Sequence, residues 1–225
     1  MKHIASGKSL SCVIGLLLFL AIMGFAASDG CTFSRLYMSV NNQVAGDHTY
    51  QAIYISPCNP MQICTDTELV ASIQNGYTGY LYLGSPRCPY CRNTVPLLLE
   101  QAQASGISRI LSCTLQNYNY RFEYTDVGLI ETQHGTPAYD TLLQLLDAYT
   151  APKRVVAPDG QAVDTGVRTI YMPAVLHCTN GIPDRCWQYS STGITLDAGQ
   201  SAYDSWTPAQ QQLARESLQE FFGKQ

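Results

Sequence analysis

The feature that most limits how this chain can fold is an apolar strand that breaks into a cysteine pair at the head of a helix. Tyr80-Leu81-Tyr82-Leu83 is a continuous β-favouring run stopped by Gly84, the pattern of a strand buried on both faces. Ser85, Pro86 and Arg87 form a loop into Cys88-Pro89-Tyr90-Cys91. From Pro89 to about Ala104 the spacing turns helical, with Val95, Leu98, Leu99 and Ala102 on one face and Gly106 as terminator. Pro96 lies inside that helix and should kink it.

Further elements extend this unit in both directions. Residues 29 to 57 hold two weakly apolar stretches, Leu36 to Val40 and Tyr50 to Ile55; the second alternates and reads as a strand. Thr65 and Glu68 make a capping box for a short helix carrying Leu69, Val70 and Ile73 and ending at Asn75-Gly76. Ile107 to Thr114 reads as a strand, residues 115 to 135 as a polar, Tyr-rich loop, and Thr136-Pro137 as the start of a helix running to about Tyr149. Residues 151 to 166 read as loop with at most a short strand. Ala174 to Cys178 and Cys186 to Ser190 form strands about a turn at Asn180-Gly181, which sets Cys178 opposite Cys186. Thr207-Pro208 with Gln210 opens a last helix, with Leu213, Leu218 and Phe221 inward. Parallel crossovers followed by a hairpin and a helix make an α/β sandwich around a mixed sheet.

A cysteine pair at a strand-to-helix junction has a chemical consequence. The helix N-terminus presents unpaired N–H groups and partial positive charge, so a thiolate at Cys88 is stabilised there. Cys91 sits one turn further in and can close a small disulfide ring. Arg87 and Arg92 flank the pair and are expected to tune it with positive charge, and Pro89 removes a donor the helix start does not need. Cys88 as attacking thiol and Cys91 as resolving thiol define thiol–disulfide exchange. A zinc site would need a second ligand pair; Cys178 and Cys186 with His177 are the nearest set, but the strand–helix context favours redox chemistry, so no metal and no cofactor are assigned. His48 and His134 show no ligand spacing.

Nine cysteines fit an oxidising compartment. Cys178–Cys186 and Cys58–Cys64 are the candidate structural disulfides, with free buried thiols as the alternative; Cys31 and Cys113 are left over. Residues 1–28 carry Lys2 and Lys8 before an apolar run from Cys12 to Ala27, the pattern of a signal peptide or signal anchor. Ala26 and Ser28 suit cleavage, whereas Asp29 suits a lipid-linked Cys31 badly. Each outcome puts the folded part outside the cytoplasm, at the cell surface or secreted, with membrane contact only through residues 1–28. A net charge of −4 without a basic run argues against nucleic acid as a partner.

With these residues in place the chain resembles the thioredoxin superfamily over roughly residues 65 to 225. The resemblance rests on the strand Tyr80 to Leu83 entering Cys88-Pro89-Tyr90-Cys91, on Pro96 five residues after Cys91, and on Met172-Pro173 before the strand Ala174 to Cys178, which matches the family's cis-proline loop. Gly84 to Arg92, with an arginine on each side of the cysteines, is most similar to extracytoplasmic thioredoxin-like proteins of Gram-positive bacteria, among them bacteriocin transport accessory proteins. The resemblance implies a thioredoxin-like three-layer sandwich, with flanking helices on a mixed sheet and an enlarged segment, 115 to 168, before the cis-proline. It divides the chain into a leader (1–28), an N-terminal extension with a strand (29–64) and the thioredoxin-like domain (65–225). It implies an enzyme that exchanges disulfides with protein or peptide thiols, with a redox partner protein, in which Met172, Pro173, Pro89 and Tyr90 bind substrate. One departure stands out. In thioredoxin a buried acidic residue lies six positions before the first cysteine and helps move the resolving thiol's proton; here that position is Tyr82, so Cys91 must use water or another group. The competing readings are a thioredoxin-fold surface adaptor and a metal-binding module using Cys88, Cys91 and His177, neither with redox turnover.

Overall fold

The computed structural model describes residues 29–223, so the leader expected over 1–28 lies outside the described residues. The chain opens with helix α1 (29–38) and a miniature hairpin of β1 (Val44–Ala45) and β2 (His48–Thr49). It continues through β3 (Met61–Cys64), α2 (Asp66–Gln74), β4 (Gly79–Gly84), α3 (Pro89–Ala104) and β5 (Ile110–Thr114). These make two repeats of strand and helix followed by a third strand, and the three strands pair in parallel with β5 between β4 and β3. After an insertion, β10 (Ala174–Thr179) pairs antiparallel with β4, β11 (Ile182–Gln188) pairs antiparallel with β10, and α5 (Pro208–Gly223) closes the fold. The central sheet is therefore mixed, in the order β11-β10-β4-β5-β3.

Alternation along β4 divides the core. Tyr80 and Tyr82 point into a cluster with Phe33 and Tyr37 of α1, Val95 and Leu98 of α3 and Leu218 and Phe222 of α5. Leu81 and Leu83 point the other way, onto Leu69 and Ile73 of α2 and Tyr139 and Leu142 of α4 (Pro137–Leu145). Helices thus cover both faces of an α/β fold, an arrangement compatible with a thioredoxin-like sandwich. The capping box at Thr65/Glu68 is present, with the Glu68 amide on Thr65 Oγ1 and the Thr65 amide on Glu68 Oε2. Thr136 caps α4 with Pro137 in the first turn.

The structure departs from the sequence reading in five places. Tyr50–Ile55 forms no ladder, because Asn41 takes both backbone groups of Ile53 and Arg92 takes the Gln51 carbonyl. The sheet's edge strand β3 lies inside 29–64, so the extension proper ends before Met61. The enlarged segment is not mostly loop: it holds the hairpins β6–β7 (Arg121–Thr125, Gly128–Gln133) and β8–β9 (Ala151–Val156, Ala162–Thr169). Residues of β6, β8 and β9 alternate between partly buried and exposed, a polar form of the strand pattern that hydrophobicity alone misses. Asn180 and Gly181 both have positive φ, 51° and 78°, so the turn is a tight two-residue one and β11 starts at Ile182. Finally, Leu213 is exposed, and α5 buries Gln210, Ala214, Leu218, Phe221 and Phe222 instead.

Candidate active site

The loop Ser85 to Arg87 delivers Cys88 as the N-cap of α3, with extended backbone (φ −87°, ψ 117°). Its Sγ lies 3.3 Å from the amide of Cys91, which donates to it, as a capping oxygen would accept. The Cys91 thiol and the amides of Cys91 and Tyr90 all favour the Cys88 thiolate and hold that thiol below its ordinary value, against the opposing effect of burial. Cys88 is partly exposed, whereas Cys91 is fully buried. Burial, reinforced by the neighbouring Cys88 sulfur, pushes the Cys91 thiol well up. The two cysteines of one turn are thus driven apart, Cys88 toward its thiolate and Cys91 toward its thiol.

Met172-Pro173 is a cis peptide bond, as the resemblance implies, and the Met172 carbonyl accepts from the Cys88 thiol at 3.8 Å. This contact follows from topology: β10 starts at Ala174 opposite Leu83, so the loop before it meets the loop after β4. Tyr90 packs against Tyr189 at a tilt of 41° with ring centroids 4.4 Å apart, and Tyr189 stacks on Trp206 at 5.8 Å. A cavity of about 330 Å³ beside the thiol pair is lined by Tyr90, Tyr171, Met172, Pro173, Gln188, Tyr189 and Ser190. Met172, Pro173 and Tyr90 are brought together in its wall, with the Met172 carbonyl reaching Cys88.

The arginines are directed elsewhere. Arg92 follows Cys91 by one residue, about 100° round the helix, so its side chain faces the N-terminal extension. It is fully buried, and its guanidinium donates to the carbonyls of Tyr37 (2.8 Å), Gln51 (2.7 Å) and Pro86 (3.2 Å) and to Asn41 Oδ1. Arg87 reaches Gln43 Oε1 at 3.2 Å. Neither guanidinium is among the groups that lower Cys88, so helix-terminal amides and Cys91 take the place of the charge tuning expected of Arg87 and Arg92.

The other cysteines among the described residues are free thiols. Cys186 faces Leu176 and Cys178 faces Pro183, because the turn is tight and the register shifts between His177 and Cys178. The pair expected to be opposite is diagonal in register, and both thiols are free. Cys58 is exposed, while Cys64 turns into the sheet, with its thiol 3.6 Å from the Ser112 carbonyl and Cys113 as register partner. Burial pushes the thiols of Cys64, Cys178 and Cys186 each up to about 12. His177 pairs with Asp184 at 2.8 Å and sits opposite Tyr80, three register positions from the Leu83 end of β4 that feeds Cys88. His177, Cys88 and Cys91 do not converge, and among the described residues no group of three His, Cys, Asp or Glu is arranged to hold a metal ion.

The residue absent from the sequence reading is Tyr37. It comes from α1, and its hydroxyl is 2.7 Å from that of Tyr82, which packs in the same buried cluster as Cys91 and acts to lower the Cys91 thiol. Phe33 and Tyr37 at helical i, i+4 spacing were the available signal. No family model matches the chain, and no curated protein or solved structure matches it either.

Proposed function

We propose that this protein is a thiol–disulfide oxidoreductase acting on protein or peptide substrates through Cys88 and Cys91, outside the cytoplasm, in the manner of the thioredoxin-like proteins it resembles. The observation that carries the reading is the asymmetry of the pair: a partly exposed Cys88 with its thiol lowered, one helical turn from a buried Cys91 with its thiol raised. A structural cysteine pair has no need of that difference, whereas exchange chemistry does. In the proposed cycle the Cys88 thiolate attacks a substrate disulfide and forms a mixed disulfide. Cys91 then displaces the substrate thiolate and closes the Cys88–Cys91 bond. The Met172 carbonyl loses its thiol donor when Cys88 ionises, which frees it for an extended substrate segment lying across the cis-proline loop.

The test is Cys91→Ser in the full-length chain, incubated with a peptide carrying one disulfide. The variant is expected to accumulate a mixed disulfide at Cys88 that a Cys88→Ser/Cys91→Ser double variant does not form. A protein serving only as an adaptor or metal module would trap nothing, and that outcome would end the oxidoreductase reading.

A further inference from the structure

Cys91 is 0% exposed, and Tyr82 (1%) and Tyr37 (3%) are packed around it in the same cluster. Among the described residues, the titratable groups acting on Cys91 are Cys88 from its own helix and Tyr82 from β4; Tyr37 from α1 acts on Tyr82, and Arg92 acts on Tyr37. No carboxylate belongs to this group. Burying two phenols beside a thiol that must ionise is costly unless their hydrogens are used. Arg92 donates to the Tyr37 carbonyl and fixes the end of α1, the Tyr37 hydroxyl stands 2.7 Å from Tyr82 Oη, and Tyr82 packs with Cys91 in one fully buried cluster, where it acts to lower the Cys91 thiol.

We propose that the Tyr37–Tyr82 hydroxyl pair is a hydrogen-bond relay that stabilises the thiolate of the resolving cysteine, Tyr82 by contact with Cys91 and Tyr37 as the positioning residue behind it. The inference rests on the oxidoreductase reading and deepens it. In the resolving step Cys91 loses its proton and its sulfur attacks Cys88 Sγ. The bond between Cys88 and the substrate sulfur breaks as the Cys88–Cys91 bond forms. The substrate sulfur leaves with the electron pair and takes up the proton that Cys91 lost, so the substrate is reduced and the cysteine pair oxidised. Both tyrosines keep their protons: Tyr37 donates to Tyr82 Oη, and Tyr82 donates to the developing negative charge on Cys91. Burial holds both phenols well above their ordinary value, which favours their protonated, donating form. The N-terminal extension therefore supplies a member of the active site.

The experiment compares the full-length parent with Tyr82→Phe and Tyr37→Phe. Acid quenching and peptide mapping after mixing with a single-disulfide peptide read the two steps separately. Formation of the Cys88 mixed disulfide is expected to stay within about twofold in both variants. Its resolution is expected to slow about tenfold in Tyr82→Phe, the loss of one hydrogen bond to a charged group, and less in Tyr37→Phe. The pH midpoint of resolution should move upward in the same order. Packing defects alone would lower the thermal midpoint without moving that pH profile. An unchanged profile in both variants overturns the relay, and if Tyr82→Phe does not fold, Tyr37→Phe decides by itself. Titration of 13Cβ-labelled Cys91 by NMR gives a readout that needs no turnover. A parent that forms no Cys88 mixed disulfide defeats the oxidoreductase reading, whereas a Cys91 titration equal in parent and variants defeats the relay.

Discussion

At the scale of single residues, the site is a set of acids moved in opposite directions by their surroundings. Cys88 is lowered by the Cys91 thiol and by helix-terminal amides, and Cys91 is raised by burial. Iodoacetamide should therefore modify Cys88 well before Cys91 in reduced protein, with a pH midpoint below the value of about 8.5 for a free thiol. Peptide mapping of the alkylated protein checks this, and preferential labelling of Cys91 would reverse the assignment. The buried thiols predict a second pH dependence. Cys64, Cys91, Cys113, Cys178 and Cys186 all ionise less readily folded than unfolded, with burial the first cause of each shift. Their contribution to stability is complete below the unfolded thiol value and is lost as pH rises toward the folded values. The thermal midpoint of the reduced protein should fall as pH rises from about 8.5 to 10, and Cys186→Ala should make that fall shallower. A midpoint flat over that range would contradict the burial seen here. Glu68 behaves in the opposite sense: its bonds to Thr65 hold it below the ordinary carboxylate value, so its small contribution is present above the unfolded value and fades as pH falls through the folded one.

At the scale of elements, two joints hold the helices in place. Thr136 caps α4 through the Tyr139 amide at 3.0 Å and donates to the buried Asp66 of α2, whose other oxygen accepts from the Thr67 amide at 2.7 Å. One hydroxyl thus serves a helix start and a helix–helix contact. Thr136→Val should cost about 1–3 kcal/mol in urea unfolding, since it removes a cap and leaves a buried carboxylate short of a donor. The second joint is Arg92, which ties α3 to the extension through the carbonyls of Tyr37 and Gln51 and through Asn41, and to its own leading loop through the Pro86 carbonyl. Arg92→Met keeps the volume but strips those acceptors, and should cost at least about 3 kcal/mol, because each buried acceptor left unpaired costs about 1–3 kcal/mol. A loss below about 1 kcal/mol would mean that water replaces the guanidinium. Neither joint was legible in the sequence. Capping signals identify helix starts by local pattern, and Thr136-Pro137 was read on that ground, but the pairing of Thr136 with Asp66 spans 70 residues. Arg92 beside a cysteine pair reads as surface charge until the extension is seen to cover it.

At the scale of the whole molecule, the N-terminal extension and the sandwich form one core. Phe33, Tyr37, Val40 and Ile55 are buried, and Phe33, Tyr37 and Ile55 pack in the cluster that holds Cys91 and Tyr82. Full burial of such side chains contributes about 1.5–3 kcal/mol each, so removal of residues 1–58 should abolish cooperative folding, and the intact chain should unfold in one urea transition followed identically by tyrosine fluorescence and far-ultraviolet circular dichroism. Two separated transitions would show that the extension folds independently. Local pattern determined much of this fold. The continuous run Tyr80–Leu83, the caps at Thr65 and Thr136, the turn at Asn180-Gly181 and the Cys88–Cys91 helix start are short-range signals, carried by backbone propensity and side chains within a few residues. The hairpins β6–β7 and β8–β9 escaped because their strands are polar, and strand pairing is set by partners that a linear pattern does not name. The sequence by itself also determined the chemistry of the thiol pair, because a helix N-terminus stabilises the first cysteine wherever the helix lies. Only the tertiary structure decided what surrounds the second one. Cys91 meets Tyr82 from the central strand and, through it, Tyr37 from the first helix, because burial brings together side chains 45 residues apart and leaves no water to hold them separate.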